Sequence, residues 1–315
     1  MKRVTTKEKI IHALQNSVEL RAGDLAKCTG VSRQAIHKQL KMLVECGIIS
    51  KKGVAPQVFY FLKPTESRIE ESKKIFALLL NSFVEQTRKK GVFWTVPEKN
   101  TIDLHFLLRS SALFSSKIEG NTLDINSFMN KAEVPRAKKR EMQEIDDLQK
   151  AYEFARIHAL TADNFLQTHK ILSKQFLSIS AQGVYRTDKV GVFSGAGLEY
   201  RAIEPQLVQS EMNELFATIT PLLEQNMTKE EVYIWSLYIH AMIAFIHPFA
   251  DGNGRAARLI EKWFLAEKLG GKYWYIQSEK FYWDNLEQYY KSLSLGVNYW
   301  EVDFRKIKKF VTLHL

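Results

Sequence analysis

The chain has 315 residues, 45% of them hydrophobic and 25% charged, with a formal net charge of +10 and two cysteines. That length accommodates about two domains with real cores, and so few cysteines exclude a disulfide-built scaffold. No apolar stretch reaches the roughly 20 residues that a membrane span needs, which excludes a spanning protein.

The charge is not spread evenly. Residues 1–63 carry twelve Lys/Arg against four acids, while the other 252 residues carry 33 against 31. Basic charge gathered in one small region is an electrostatic footprint for nucleic acid. Within it the pattern predicts a short helix at 7–15, a second at 21–28, a tight turn at 29–32 with Ser32 as N-cap, and a third helix at 33–43. Strands open at Gly47 and return at Val58–Phe61 around a Lys51-Lys52-Gly53 tip. This order resembles a winged helix-turn-helix, whose third helix enters the major groove by its N-terminal residues. Arg33, Gln34, His37 and Lys38 would then face DNA, with Lys51 and Lys52 on the wing; a protein-binding or dimerisation module is the alternative. Ala35, Ile36, Leu40 and Leu43 read as core. Cys28 and Cys46 fall on apolar-looking faces and read as small core residues. The N-terminus is charged and lacks an apolar signal core, so a cytoplasmic protein is expected.

A linker is expected at 64–70, dividing a first domain at 1–63 from a second at 71–315. Beyond it helical periods dominate, at about 68–90, 102–119, 139–158, 163–176, 206–225, 229–246, 255–268, 279–294 and 301–313. Ser115 and Glu119, four apart, share one helix face, and Gly120 is placed to end that helix at its C′ position. Residues 185–205 hold short apolar pieces around Gly195-Ala196-Gly197, a hairpin signal. A dinucleotide-binding reading of those glycines fails, because Tyr200 stands where a third glycine belongs.

The densest chemistry lies at 247–258, reading His-Pro-Phe-Ala-Asp-Gly-Asn-Gly-Arg-Ala-Ala-Arg. Thr228 and Glu231 make a capping box for the apolar helix before it, and Pro248 ends that helix. The helical period resumes at Arg255, so Gly252-Asn253-Gly254 lie at a helix N-terminus. Free N–H groups and the positive dipole end suit phosphate there. Arg255 and Arg258 project from one face of the first turn, and guanidinium forks match phosphate oxygens. Asp251 can hold magnesium, and His247 is the side chain best suited to take a proton near neutral pH. A calcium loop starting at Asp251 fails, since Arg255 and Ala256 occupy positions that need other residues. His240, on the buried helix, reads as a satisfied core histidine.

The segment 247–258 resembles the Fic family signature at every specified position. The resemblance implies a mainly α fold: a Fic-type helical core with a β-hairpin flap, here behind the small winged helix-turn-helix. It implies transfer of AMP from ATP, with Mg2+, to a hydroxyl side chain of a target protein. His247 would deprotonate that hydroxyl, Asp251 would hold the metal, and Gly252, Asn253 and Gly254 would bind phosphates. Arg255 would neutralise the leaving pyrophosphate, and Arg258 would grip the γ-phosphate. Ser115, Glu119 and Gly120 resemble the inhibitory helix of autoinhibited members, here N-terminal to the core at about 102–119. Gly183-Val184-Tyr185-Arg186 resembles the stretch before the family's flap. Val192 and Phe193 would then dock the target segment by strand addition. Glu204-Pro205 departs from the Pro-Pro pair of many relatives and leaves the flap's far boundary open. Tyr289 is a candidate for the adenine pocket, with packing as the alternative. Two other functions stay open: a nucleotide-sensing, DNA-binding transcriptional regulator, and removal of AMP from a modified target. A second copy of the chain is a further candidate partner.

Overall fold

The computed structural model describes residues 4–17, 19–45, 48–62, 67–91, 104–124, 128, 135–194 and 197–314. The chain divides into two compact units, Met1–Arg68 and Ile69–Leu315. The expected linker at 64–70 spans that division, and its residues 64–66, like Cys46 and Gly47, lie outside the described ones.

In the first unit, Thr5 caps α1 (Thr6–Gln15), and Glu8 completes a capping box. The strand β1 (Leu20–Arg21) leads into α2 (Ala22–Thr29), which ends at Gly30 with φ +66°. That left-handed turn suits glycine and redirects the chain into α3 (Arg33–Glu45). β2 (Ile49–Lys52) and β3 (Phe59–Leu62) form the wing. The sheet is antiparallel in the order β1-β3-β2, with Leu20 opposite Tyr60 and Ile49 opposite Leu62. β1 is too short for the sequence pattern to reveal. Ile10, Leu14, Leu25, Ile36, Leu40, Leu43 and Ile49 make the core. Ala35 is only half-buried. Cys28 is exposed, contrary to expectation. It falls in the last turn of α2, beyond the stripe that Leu25 buries.

Among its described residues the second unit is mainly helical, with one hairpin. Its helices are α4 (Arg68–Lys90), α5 (Leu104–Ile118), α6 (Lys139–Ile157), α7 (Ala162–Leu172), α8 (Pro205–Glu224), α9 (Lys229–Ile246), α10 (Asn253–Leu269), α11 (Ser278–Asp284), α12 (Leu286–Leu293) and α13 (Lys308–Thr312). The hairpin joins β4 (Gly191–Ser194) to β5 (Gly197–Arg201), with a register shift between Val192 and Phe193. Gly195 and Ala196 lie outside the described residues. After this hairpin Glu204 is the N-cap of α8 and Pro205 its first residue, where a proline fits. The single helix expected at 279–294 is two, broken at Asn285. The one expected at 301–313 is a 3-10 turn at Phe304–Ile307 followed by α13. α9 is buried nearly all round and packs along α10, so the loop between them projects from the middle of the core. Among the described residues no helix is long and apolar enough to cross a membrane.

Candidate functional site

The loop 247–252 is held by backbone contacts that its sequence does not advertise. α9 ends with His247 in the left-handed region, φ 53° and ψ 60°, its N–H still bonded to the Ile243 carbonyl at 2.9 Å. Arg186 fastens this turn. Its Nε donates to the His247 carbonyl at 2.7 Å, and its Nη2 donates to the carbonyls of Ile203 at 2.6 Å and Ile246 at 3.3 Å. Its backbone N–H donates to the Pro248 carbonyl at 2.9 Å. Phe249 is buried and stacks on His169, ring centroids 3.5 Å apart. The Nδ1 of His169 accepts from the Gly183 N–H at 3.1 Å, so the proton sits on Nε2, which donates to the Asp251 carbonyl at 2.9 Å. Burial pushes the His169 pKa down to about 4, as a neutral tether requires. Asn253 closes the loop from the other side. Its carboxamide accepts from the Phe249 N–H at 2.8 Å and donates to the Phe249 carbonyl at 2.9 Å. That amide is therefore tied to the loop at both its ends, and the Asn253 backbone N–H lies in the first turn of α10.

The geometry at His247 leaves its ring able to accept a proton. Its Nδ1 lies 3.2 Å from the Ala244 carbonyl, which can only accept, so the neutral ring carries its proton on Nδ1. Nε2 is left with a free lone pair. Burial, with Arg186 adding to it, pushes the pKa below the ordinary histidine value despite Ala244, Glu119 and Asp251. The ring is thus neutral near pH 7.

The start of α10 follows. Gly252, φ +80°, turns the chain into α10, and a Cβ there would press on Leu172 and Phe176 at 3.2 Å. Arg255 is 6% exposed and lies over the Phe176 ring, 3.8 Å from its centroid. Its nearest carboxylates are Asp251 at 3.6 Å and Glu144 at 3.9 Å, and its buried Nε has no hydrogen-bond partner among the described residues. A buried guanidinium with spare donors suits a phosphate. Asp251 keeps a side chain 56% exposed, with Oδ1 accepting from the Gly252 N–H. Among the described residues no three metal-binding side chains cluster. A cation here would take one carboxylate from the chain and fill its shell with phosphate oxygens and water, which fits magnesium.

Arg258 is fully buried. Nε donates to the Ser115 hydroxyl at 2.9 Å, Nη2 to the Ser115 carbonyl at 3.0 Å and to Glu119 Oε1 at 2.7 Å, and Nη1 to the Tyr289 hydroxyl at 3.4 Å. Glu119 follows the end of α5, before Gly120 with φ +92°. Its carboxylate lies over the first turn of α10, where a Cβ on Gly254 would run into Oε1. Burial opposes the charge on Glu119, but Arg258 and Arg255 outweigh it and hold its carboxyl below the usual range. Ser115 and Glu119 from one segment and Gly254 and Arg258 from another thus converge, with Gly120 in the open turn beyond.

Tyr289 is placed differently from the adenine-pocket candidate. It is 2% exposed and lies behind Arg258, its hydroxyl also 2.9 Å from His240 Nε2, so it offers no ring face to a base. His240 is fully satisfied, by Tyr289 and by Glu261. In the flap, Val192 pairs with Tyr200, while the Phe193 side chain lies outside the description. Arg33, Gln34, His37 and Lys38 are exposed on α3, and Lys51 is exposed on the wing. The Lys52 side chain is not among those described. Arg21, Lys27, Arg33, His37, Pro56 and Tyr60 border a groove of about 450 Å³ between helices and wing. The residues that sequence reasoning missed are Arg186 as a fastener, His169 and Phe176.

Residues 159–265 match the Fic/DOC family, and residues 5–51 match the bacterial regulatory proteins of the arsR family. The chain is also similar to solved structures. One is a Fic family protein from Desulfovibrio desulfuricans, at 24% identity over 76% of this chain and 70% of that one, TM-score 0.57. Another is a Fic domain containing signaling protein from Bacteroides thetaiotaomicron, at 17% identity over 78% and 90%, TM-score 0.50. A third is Fic-1 from C. elegans, at 15% identity over 100% and 86%, TM-score 0.50. The chain therefore carries a Fic/DOC domain and an N-terminal winged helix-turn-helix of arsR type.

Proposed function

We propose that the Fic/DOC domain transfers AMP from ATP to a hydroxyl side chain of a target protein, and that Glu119 restrains it. The observation that carries this reading is the Glu119 carboxylate, held by Arg258 over the glycine at the start of α10. An acid of the chain's own lies where a phosphate would lie, on the groups that would bind it. His247 Nε2 takes the proton of the target hydroxyl, whose oxygen bonds to the α-phosphorus as the bond to the departing pyrophosphate breaks. Arg255 and the N–H groups of α10 neutralise charge on the phosphates. Asp251 would hold Mg2+, which supplies charge neutralisation across the phosphate oxygens. With Glu119 on Arg258, the guanidinium fork is taken, and a triphosphate cannot settle along the productive path.

The test is label incorporation from α-labelled ATP, in the presence of cell lysate, by the parent chain, Glu119→Gly and Glu119→Gly/His247→Ala. Glu119→Gly should raise transfer, self-modification included, by about tenfold or more, a barrier change of about 1.4 kcal/mol. The double variant should lose it by about 10²-fold or more. If Glu119→Gly is no more active than the parent, Glu119 is an ordinary helix-end residue. A second activity has its own support: the arsR match and the exposed Arg33, Gln34, His37 and Lys38 favour DNA binding by the first unit.

A further inference from the structure

Behind Arg258 runs a buried chain of polar groups that none of the proposed chemistry uses. The Tyr289 hydroxyl touches Arg258 Nη1 at 3.4 Å and His240 Nε2 at 2.9 Å. His240 Nδ1 reaches Glu261 Oε2, which lies 2.8 Å from the Tyr282 hydroxyl. Tyr282 in turn lies 3.0 Å from His314 Nε2, and His314 Nδ1 lies 2.9 Å from the Phe310 carbonyl. Glu261, His240 and Arg258 are 0% exposed, Tyr289 2% and His314 1%.

Counting protons along this chain fixes where they sit. Arg258 can only donate, so the Tyr289 oxygen accepts from it and the Tyr289 proton goes to His240 Nε2. His240 then carries its proton on Nδ1 and donates to Glu261. At the far end the Phe310 carbonyl can only accept, so His314 Nδ1 carries a proton. If His314 is neutral, its Nε2 must accept from Tyr282. The Tyr282 hydroxyl has then spent its one proton, and its contact with Glu261 needs a proton from Glu261. The chain therefore holds one acidic proton, either on Glu261 or on His314 as an imidazolium. Burial decides for Glu261: it pushes that carboxyl up to about 8 and the His314 ring down to about 3. An independent observation agrees. Glu261 Oε1 is buried with no hydrogen-bond partner among the described residues. A bare carboxylate oxygen there would be costly, and the carbonyl oxygen of a neutral acid much less so.

We propose that Glu261 is kept as a neutral carboxylic acid and, through His240 and Tyr289, is the positioning residue that sets the Arg258 guanidinium toward the phosphate cradle. The proposal rests on the reading of Arg258 as a phosphate ligand. The other titratable and charged groups facing Glu261 do not replace its proton. Lys262 on the same helix is bound to Glu279 of α11 at 2.7 Å, and Glu279 also accepts from Tyr152 at 2.6 Å. Losing the proton would leave either Glu261 without its donor role or His314 without its acceptor role. It would also set a negative charge behind Arg258, drawing the guanidinium back from the cleft. Nucleotide grip should therefore fall as pH rises through the Glu261 range.

Two readouts test this in the full-length chain with Glu119→Gly as background. Difference infrared spectroscopy should show a buried neutral-acid carbonyl band at pH 7 that disappears in Glu261→Gln. Its absence in the parent overturns the neutral acid, whatever the site does with ATP. ATP affinity, measured by calorimetry without turnover, should fall about tenfold between about pH 7 and pH 10. Glu261→Gln, which carries no titratable proton but whose amide cannot both accept from His240 and donate to Tyr282 at one atom, should flatten that fall. Tyr289→Phe should weaken binding at every pH. A profile unchanged by Glu261→Gln, or full affinity in Tyr289→Phe, overturns the positioning role.

Discussion

Arg186 Nε lies 2.7 Å from the carbonyl of His247, so a residue 61 positions earlier holds the His247 backbone. Arg186 is 5% exposed and also serves Ile203 and Ile246. Arg186→Ala would strand these carbonyls, at about 1.5–3 kcal/mol for each hydrogen bond to a charged donor. A drop in the denaturant midpoint and a loss of AMP transfer should go together. Arg186 also lowers the His247 pKa. The acid limb of the pH–rate profile should lie below the ordinary histidine value and move up in Arg186→Ala. Transfer at the parent rate, with an unmoved limb, would leave Arg186 as packing only.

His169 makes the loop sensitive to acid. Its pKa falls from 6.5 when free to about 4 when folded, because burial disfavours the cation. A depressed histidine contributes stability that is full above about pH 6.5 and is lost as pH falls through about 4. Protonation also turns Nδ1 into a donor facing the Gly183 N–H. Chemical denaturation at several pH values should show this loss in the parent. In His169→Gln the pH dependence should be flatter and the midpoint at pH 7 lower. An equal slope in both would assign the acid sensitivity elsewhere.

Gly254 has no room for a side chain. A Cβ there would strike Glu119 Oε1 and approach Arg258 Nη1 at 3.1 Å. Gly254→Ala should push Glu119 aside without releasing activity, since the methyl group fills the cradle itself. Combined with Glu119→Gly, it should bring transfer at least about tenfold below the single Glu119→Gly variant. Comparable rates in the two would mean that phosphate does not approach this turn.

The first unit should bind duplex DNA with a strong salt dependence. Each phosphate contact adds about −0.9 to the slope of log K against log salt. Charge reversal at Lys51 and Lys52 should weaken binding to all sequences and flatten that slope. Arg33→Ala should instead discriminate among sequences, as a major-groove contact would. Binding that ignores salt would favour a protein-docking role for this unit.

The sequence carried those parts of the site whose physics is local. The helix 229–246 has the bounds expected of it, because a capping box opens it and Pro248 closes it within a few residues. Glu119 and Arg258 could be paired only through family resemblance, since 139 residues separate them. His169 was invisible for the same reason. Its partners are backbone groups 14 and 82 positions away, and backbone groups leave no trace in side-chain patterns. The break at Asn285 was hidden because the apolar period runs on across it, with Tyr282 and Tyr289 both turned inward to the polar chain. Cys28 failed because a residue in the last turn of a short helix is little constrained by the period of that helix.

His247 is the single non-glycine residue with positive φ among the described residues. For a side-chain-bearing residue that conformation costs about 1–2 kcal/mol, and a glycine bears it freely. The position is a helix-ending turn that glycine would fill best, occupied instead by the histidine proposed to accept the proton. His247→Gly should therefore abolish transfer, with the relieved backbone strain offsetting part of the lost Ala244 hydrogen bond. A side chain at this turn is thus a strain on the fold that the proposed reaction would offset.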